Sequence, residues 1–445
     1  MNKVITRFAP SPTGHLHVGN IRTALINWVY AKHHSGICYL RFDDTDKLRN
    51  KQEYKDSILN DLSWLELIPD QIFAQSTRLD KYNEAMQYLI SIGRLYPCFE
   101  STQELDLKRK WQISNGKPPM YDRSALKLSE AQIQDLIDQG KKPHYRFLIK
   151  DESVIWNDLV KGEVHYQGKH LNDPIIVRQD GSMTYMLCST VDDIEYGITD
   201  VIRGEDHVTN TAIQIQMFQA MYGAQPPNFG HIGLIKSKEE KISKRIGGFE
   251  ISQLRDSLGL EPMAINSLLC LIGSSKSMKY FKNMQDLVAD FNIESLSNST
   301  VLYCQKDLEQ LNHKLLIHLD FDQVKDKIYA MGLNEIDEQF WLAVRPNLQK
   351  LSEIKIWWKA CHEPNKLGIQ DKDLLNIAAK LFPNGTIDEN TWKIWTTIIS
   401  RETGKSGKDL FLPLRIALTG MQHGPELKNI LPLLSKEEII SRLIR

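Results

Sequence analysis

Residues Val4 to Asn20 read VITRFAPSPTGHLHVGN, and this stretch decides the fold. The apolar residues up to Phe8 predict a short strand, and the run of proline, serine and glycine that follows predicts a loop. Apolar side chains then recur at helical spacing up to Gly36, which stands at the position of a C-terminal cap. The nearly unbroken apolar run from Ile37 to Phe42 predicts a strand covered on both faces. Together these segments predict a β-α-β unit of a parallel sheet, with a binding loop at its first turn.

The rest of the chain divides into three kinds of pattern. Periodicity breaks up between residues 96 and 170, which predicts an insertion. Strands are predicted next at 184–191, 199–202 and 231–235, with a helix from about Thr209 to Tyr222. From Lys306 onward the signals are helical, so the last third is predicted to be all-α.

Composition sets limits on location and partners. The chain of 445 residues has a formal net charge of −1, so any nucleic-acid surface must be a local basic patch. The first twelve residues lack a secretory or transit pattern, no apolar run is long enough to span a membrane, and the six cysteines show no C-x-x-C pair. We therefore expect a cytoplasmic protein.

Two short motifs carry the chemistry. His17-Val18-Gly19-Asn20 opens the first helix, where backbone N–H groups and the positive end of the helix dipole favour phosphate. In the second motif, KISKR at 241–245, Lys241 and Lys244 bracket Ser243, so two ammonium groups can converge on one polyanion. Taken alone, the first motif fits an ordinary helix start, and the second fits a solvated run of surface residues. Their order and strand context together favour a two-sided grip on ATP phosphates and adenylate chemistry.

RFAPSPTG at 7–14, HVG at 17–19 and RTAL at 22–25 resemble the opening of the class I glutamyl-tRNA synthetases of bacterial type. RFDDTD at 41–46, VDD at 191–193, VIRGEDH at 201–207, the KISKR segment and FLPLRIALTG at 411–420 match in order, with Ile242 a mild departure. The resemblance implies a Rossmann-like parallel-sheet catalytic domain of α/β class, an inserted α+β connective domain and an all-α anticodon-binding region.

The resemblance also implies two sets of site residues. The catalytic residues would be His17, Gly19, Asn20, Lys241 and Lys244, and ATP binding would add Thr13 and Ser243. The glutamate-binding residues would be Arg7, Ser11, Asp43, Tyr185 and Arg203. Both arginines would hold the side-chain carboxylate, since a guanidinium binds a carboxylate in a planar fork. Asp43, which would hold the α-amino group, replaces the glutamate more usual in the family.

By the same resemblance the reaction has two steps. L-glutamate attacks the α-phosphorus of ATP, with Mg²⁺ bridging the phosphates, and the terminal ribose 2′-OH of tRNA then attacks the glutamyl-adenylate. We assign no general base, because such displacements depend on positioning and charge stabilisation. Bound tRNA is expected to be required for activation. Some members carry zinc in the insertion, but Cys98-Phe99-Glu100 offers a single thiol, so we expect no metal site and no structural zinc.

These inferences give predicted domain limits and partners. The predicted domains are 1–80 and 184–230 for the two halves of the catalytic domain, 81–183 for the insertion, 231–305 for a stem-contact region with the KISKR loop, and 306–445 for the anticodon-binding region. The expected partners are tRNA(Glu), tRNA(Gln) in a non-discriminating enzyme, and L-glutamate, with no membrane and a monomeric state. Candidate tRNA contacts are Lys405, Lys408 and Arg415.

Four alternatives stay open at this point. A glutaminyl-tRNA synthetase would read the anticodon with β-barrels, and the truncated glutamyl-queuosine-forming relative lacks an anticodon domain. A small-molecule nucleotidyltransferase would not need so long a helical appendage. A non-catalytic tRNA-binding paralogue would be expected to lose His17 or Lys244, and both are present.

Overall fold

The computed structural model describes residues 3–46, 48–237, 250–363 and 371–444. Its strands are, in chain order, β1 (Ile5–Phe8), β2 (Ile37–Phe42), β3 (Gln71–Ala74), β4 (Leu95–Cys98), β5 (His144–Phe147), β6 (Ser153–Asp158), β7 (Gly162–Gln167), β8 (Ile175–Val177), β9 (Asp200–Gly204), β10 (Asn228–Ile232), β11 (Ile235–Ser237) and β12 (Val301–Tyr303).

Helices account for most of the other regular structure. They are, in chain order, α1 (Val18–His33), α2 (Gln52–Trp64), α3 (Leu79–Ser91), α4 (Thr102–Ser114), α5 (Glu130–Asp138), α6 (Tyr185–Glu195), α7 (Val208–Ala220), α8 (Pro262–Leu271), α9 (Met284–Asp290), α10 (Gln305–His318), α11 (Phe321–Ala330), α12 (Glu338–Val344), α13 (Ile354–His362), α14 (Lys372–Lys380), α15 (Thr391–Thr403), α16 (Gly407–Thr419), α17 (Leu427–Ile430) and α18 (Lys436–Leu443).

A parallel sheet forms the base of the N-terminal part, as predicted. β2 lies between β1 and β3, and both pairings are parallel. β9 and β10 form a second parallel pair. Hydrogen bonds between Ile5 and Thr199, the residue before β9, join the two sets, with the Ile5 N–H 2.7 Å from the Thr199 hydroxyl. The carboxyl ends of the central strands therefore open on one side of the sheet, which is where ligands bind in such folds.

Gly36 has a different role from the predicted one. Helix α1 ends in a Schellman motif in which Ser35, not Gly36, takes the left-handed conformation, with φ 53°. The Gly36 N–H closes the motif on the Ala31 carbonyl at 2.7 Å. A Cβ on Gly36 would lie 2.3 Å from the Val4 carbonyl oxygen, so glycine is required there by the close approach of β1.

Two predicted strands were wrong in type or extent. Residues 185–191 belong to α6, with Thr184 as its N-cap, and not to a strand, because a helix buried on most of its faces gives the same apolar run as a buried strand. The strand predicted at 231–235 is divided, since β10 ends at Ile232 and β11 begins at Ile235. Gly233 lies between them, and a Cβ there would meet the Ser299 carbonyl oxygen at 1.9 Å. The chain turns at this glycine and pairs next with β12.

The insertion is α+β, as predicted. β4, β5 and β8 form an antiparallel sheet, and β6 and β7 form a hairpin. The turn of that hairpin is held by Asp158, whose Oδ1 accepts the backbone N–H groups of Val160 and Lys161, each at 3.1 Å. Helices α4 and α5 both begin with a capping box, at Ser101 and Ser129.

The described residues separate into two compact units. The first consists of Met1–Gln253, Asn266–Lys279 and Asn283–Cys304, and the second of Leu254–Ile265, Tyr280–Lys282 and Gln305–Arg445. The part of the second unit after Gln305 is helical, which confirms the predicted all-α C-terminal third. Its core includes the fully buried Trp341 and Trp395, whose indole N–H groups donate to backbone carbonyls. Among the described residues, no helix has both the length and the apolar character needed to span a membrane.

Candidate active site

A cleft of about 640 Å³ opens at the carboxyl ends of β1, β2, β9 and β10. Its wall includes all of the predicted ATP and glutamate residues that the structure describes, which are Arg7, Ser11, Thr13, His17, Gly19, Asn20, Asp43, Tyr185 and Arg203. These residues come from four separate segments of the first unit. The tertiary structure therefore brings the two predicted sets together in one cavity.

His17 caps helix α1 with its own ring. Its Nδ1 accepts the backbone N–H groups of Gly19 at 3.1 Å and Asn20 at 3.4 Å, while the Asn20 Oδ1 accepts the His17 N–H at 3.3 Å. Because Nδ1 is an acceptor, the ring proton lies on Nε2, which is left to donate. Burial lowers the pKa of His17, which favours this neutral form.

This cap changes the predicted mode of phosphate binding. We expected free backbone N–H groups at the start of α1, but those of Gly19 and Asn20 are occupied by the imidazole. The His17 ring still offers its Nε2 proton as a hydrogen-bond donor at this helix start. Gly19 is needed for the geometry, because a Cβ there would lie 2.9 Å from the His17 Cε1.

A buried cluster of two arginines and two aspartates lies beside the cleft. Asp193 accepts from Arg7 Nε at 3.1 Å and from Arg41 Nη1 at 2.7 Å. Arg41 also donates through Nε to Asp43 at 2.6 Å. Burial acts to raise the pKa of Asp193, but the two guanidiniums outweigh it and hold that pKa below its usual range. At Asp43 burial is the stronger influence and the pKa is raised despite Arg41.

Arg203 differs from Arg7 and Arg41, which line the same cleft and are paired with carboxylates. A further arginine of the wall, Arg22, donates to the backbone carbonyls of Gly233 and Ile272. Arg203 is 8% exposed, and its Nη2 donates to two neutral groups, the Thr211 hydroxyl at 2.6 Å and the Gln214 side-chain oxygen at 2.7 Å. Its Nε has no partner, and no carboxylate of the described residues lies within ion-pair distance. Burial, with the nearby charge of Arg7, lowers the pKa of Arg203 to about 10. Such a guanidinium is stabilised by an anionic ligand.

Tyr185 adds a neutral donor to the same wall. Its Oη accepts a hydrogen bond from the Asn210 amide, so the phenolic proton remains to be donated to a ligand. Burial raises the pKa of Tyr185, which keeps this proton in place. The wall of the cleft thus includes a phenol, a guanidinium without a carboxylate partner and the ring of His17.

Comparison with known proteins shows the family of this chain. Residues 3–310 match the family described as tRNA synthetases class I (E and Q), catalytic domain, and residues 366–445 match the anticodon binding domain. The chain is 57% identical to "Glutamate--tRNA ligase 1" of Rickettsia felis over 445 residues, which cover 100% of the chain and 99% of that protein. The protein of the same name from Rickettsia bellii is also 57% identical, with 100% of both chains covered.

The chain belongs to the class I tRNA synthetases of the glutamate and glutamine group. The predicted family and the predicted enzyme class, an aminoacyl-tRNA synthetase, are confirmed. Two solved structures confirm the fold. A glutamate tRNA ligase from Elizabethkingia meningosepticum has a TM-score of 0.85 at 23% identity, covering 99% of this chain and 98% of its own, and the synthetase from Elizabethkingia anophelis has 0.81 at 23%, covering 99% of each.

The predicted phosphate-binding residues Lys241, Ser243 and Lys244 of the synthetase lie outside the described residues. The described residues on either side of that segment both adjoin the cleft. Ile235 lines it, and Glu250 forms an antiparallel bridge with His17. The Ile251 N–H also donates to the Leu16 carbonyl at 3.1 Å.

The three predicted tRNA contacts of the synthetase differ in their surroundings. Lys405 donates to the Asp371 carboxylate, and Arg415 donates to the Pro425 carbonyl at 3.0 Å. Burial lowers the pKa of Arg415. Lys408 is exposed. Of the three, Lys408 therefore has the side chain best placed to contact an exposed phosphate.

One group in the synthetase's insertion has metal-ligand chemistry. Cys98 Sγ, a carboxylate oxygen of Glu100 and a ring nitrogen of His144 lie within 4.8 Å of one another. A structural zinc site takes four ligands, and this group of described residues supplies three. Hydroxyl groups of Tyr121 and Ser124 already donate to Glu100 Oε1, at 2.7 and 2.8 Å. The expectation of no structural zinc stays a prediction.

Sequence reasoning missed several residues of the site. Thr211, Gln214 and Asn210 all lie on α7 and orient the predicted Arg203 and Tyr185. No motif marks them, and their only signal is polarity within a helix whose residues are mostly buried. His144 was missed because it is 46 positions from Cys98 and reaches it only through the pairing of β4 with β5.

Proposed function

We propose that this synthetase charges tRNA with L-glutamate and that Arg203 binds the side-chain carboxylate of the amino acid. The activity itself, ligation of glutamate to tRNA, is the predicted one, and it is confirmed by the names of the full-length relatives at 57% identity. The residue roles, the route and the choice of tRNA are our proposals.

The single observation that carries the Arg203 role is its buried guanidinium without a carboxylate partner. Arg7 has its charge offset by Asp193, and Arg41 is shared between Asp193 and Asp43. An incoming carboxylate would compensate Arg203, whereas an amide would leave its charge uncompensated and would present an N–H₂ group to a donor. The Tyr185 hydroxyl supplies a second donor to the same carboxylate.

The remaining glutamate contacts follow from charge. Asp43 faces the cleft with a carboxylate that Arg41 holds from one side, so it can receive the α-ammonium group on the other. Ser11 and Arg7 complete the wall of the pocket. This arrangement supports glutamate over a neutral amino acid of the same length.

For ATP we propose that the motifs at 17–20 and 241–245 bind the phosphates from opposite sides. His17 would donate its Nε2 proton to a phosphate oxygen, and Thr13, Gly19 and Asn20 would line the same region. Lys241, Ser243 and Lys244 would approach from the segment between Ile235 and Glu250, whose described ends adjoin the cleft. The family uses ATP, and we propose that it binds here with Mg²⁺.

The proposed reaction has two displacements. An oxygen of the glutamate α-carboxylate attacks the α-phosphorus of ATP, and the bond to pyrophosphate breaks, which gives glutamyl-adenylate. The ribose 2′-OH of the terminal tRNA nucleotide then attacks the activated carbonyl carbon, AMP leaves with the electron pair of the broken bond, and the hydroxyl proton passes to the phosphate of the departing AMP. The protein's part is positioning and stabilisation of charge on the departing phosphates, so no general base is needed.

We further propose that the enzyme is cytoplasmic and monomeric, and that the insertion and the helical region contact tRNA. The domain limits given above, 1–80, 81–183, 184–230, 231–305 and 306–445, are part of this proposal. The match of residues 366–445 to the anticodon binding domain supports the last of them. Charging of tRNA(Gln) as well as tRNA(Glu) depends on contacts to the anticodon.

The test is aminoacylation of tRNA(Glu) and tRNA(Gln) transcripts with labelled glutamate or glutamine, using wild-type protein and Arg203→Ala. We expect glutamate on tRNA(Glu), and an increase of about 100-fold or more in the KM for glutamate in the variant, as expected when a charged hydrogen bond to the substrate is lost. An unchanged KM for glutamate would remove Arg203 from the pocket. Charging with glutamine alone, or no charging by the wild-type protein, would overturn the proposed activity.

A further inference from the structure

We propose that Asp158, His231 and Thr211 form a positioning relay that holds the guanidinium of Arg203, and that this relay sets how well the enzyme distinguishes a carboxylate from an amide. The inference rests on the proposed function, in which Arg203 binds the glutamate side chain. None of the three residues lines the cleft, so each acts through the arginine.

The relay begins with two residues on adjacent strands. Arg203 on β9 and His231 on β10 are direct partners in the parallel register. Both are buried, and His231 is 0% exposed. Thr211 on α7 packs above the pair, with its hydroxyl 2.6 Å from Arg203 Nη2 and 2.8 Å from His231 Nε2. One hydroxyl therefore joins the guanidinium to the imidazole.

The direction of each hydrogen bond follows from donor and acceptor counting. Arginine can only donate, so Thr211 Oγ1 is the acceptor in its bond with Arg203. The single hydroxyl proton can then go to His231 Nε2 at 2.8 Å or to the His207 carbonyl at 3.3 Å. The shorter bond is the better one, and it requires Nε2 of His231 to be without a proton.

Asp158 enforces that tautomer from the other side of the ring. Its Oδ2 lies 2.5 Å from His231 Nδ1, and its Oδ1 accepts the His231 backbone N–H at 3.0 Å. A carboxylate accepts, so Nδ1 carries the ring proton. Burial, together with the charge of Arg203, lowers the pKa of His231 although Asp158 opposes this, so the imidazole stays neutral beside the arginine.

The chemistry of the relay explains why it suits an anion-binding arginine. A carboxylate next to Arg203 would orient it and also cancel its charge, as Asp193 does for Arg7. Thr211 and Gln214 orient Arg203 with neutral oxygens and leave the charge for the substrate. The fixed charge that completes the relay belongs to Asp158, which is separated from the guanidinium by the imidazole and the hydroxyl.

The first test compares Thr211→Val with Thr211→Ser in pyrophosphate exchange with tRNA present. Valine has the shape of threonine but no hydroxyl, so we expect the KM for glutamate to rise about 10- to 100-fold and the preference for glutamate over glutamine to fall, while kcat and the KM for ATP change much less. Serine keeps the hydroxyl, and its KM for glutamate should stay within about threefold of wild type. Thr396→Val, at a buried helical threonine of the second unit whose hydroxyl donates to the Trp392 carbonyl, is the matched control.

The outcomes separate the relay from the function on which it rests. A raised KM for glutamate in Arg203→Ala together with an unchanged KM in a folded Thr211→Val would overturn the relay alone. An unchanged KM in Arg203→Ala would overturn the role of the arginine itself. If Thr211→Val does not fold, the ¹⁵N chemical shifts of the His231 ring in the wild-type protein decide the question. The relay requires a protonated Nδ1 and an unprotonated Nε2 at pH 7, and a proton on Nε2 would contradict it.

Discussion

Arg7 and Asp193 form a buried ion pair in which Nε lies 3.1 Å from Oδ1 and Nη2 lies 3.3 Å from Oδ2. The pair makes Arg7 and Arg203 inequivalent, although both line the cleft and both were predicted to hold the same carboxylate. Arg7 brings a charge that the protein has already offset. Arg203 brings a charge that is oriented by neutral oxygens, and we propose that this difference favours binding of an anionic side chain.

Substitution of Asp193 by asparagine should destabilise the first unit strongly. The change leaves Arg7 and Arg41 buried side by side without their shared carboxylate, and breaking a buried pair of this kind costs about 3–5 kcal/mol. Urea unfolding followed by circular dichroism measures the loss. Asp46→Asn, which removes an exposed partner of Arg49, is the control and should unfold like wild type. A variant of Asp193 as stable as the control would contradict the buried-pair account.

Gly19→Ala should impair ATP binding without destabilising the protein. The new Cβ would lie 2.9 Å from the His17 ring and displace it, while alanine is at least as favourable as glycine in a helix. We expect the KM for ATP to rise and kcat to fall, by on the order of 100-fold in kcat/KM. Pyrophosphate exchange gives both values, and the KM for glutamate in the same variant serves as the internal control. An unchanged kcat and an unchanged KM for ATP would show that phosphate binding does not depend on the His17 cap.

Lys244→Ala should lower adenylate formation by about two to four orders of magnitude, because the proposed ammonium acts on charge that develops as pyrophosphate leaves. Binding of tRNA should be nearly unaffected. The matched control is Lys236→Ala, an exposed lysine on β11, which should keep its activity within about twofold. Single-turnover measurement of the adenylate distinguishes the two variants. Equal rates of adenylate formation in the two variants would contradict the role of Lys244 as a phosphate ligand.

The pH dependence of stability should depend on His231. Burial lowers its pKa below the value of about 6.5 that it has in the unfolded chain, so the unfolded state binds more protons as the pH falls through that value. Stability is therefore present above pH 6.5 and is lost below it. We expect thermal midpoints between pH 7.5 and 5.5 to fall less steeply for His231→Gln than for wild type. Replacing the exposed His170 by glutamine should leave the slope as it is. Equal slopes for all three proteins would show that folding does not shift the pKa of His231, and would contradict this account.

The sequence predicted which residues line the cleft better than it predicted the elements around them. The strand predicted at Ile37–Phe42 was right to the residue. The strand predicted at 184–191 was wrong, because Met186 to Asp193 are all buried, and a buried helix has no polar face that would distinguish its apolar run from that of a buried strand. The sequence predicted that Gly36 matters, but for the wrong reason. Glycine is required there by the close approach of Val4, which is 32 residues away in the chain.

Length, composition and ordered motifs by themselves determined the fold class, the family and the residues that line the cleft, because these depend on residue types at short spacings along the chain. Only the tertiary structure decided which of those residues are free to act. His17 binds its own helix, Arg7 is paired with Asp193, and Arg203 is held by Thr211, Gln214 and, through Thr211, by His231 and Asp158. These contacts join segments far apart in the chain, and a charge in a buried site is governed by what lies within a few ångströms of it, whatever the separation in sequence.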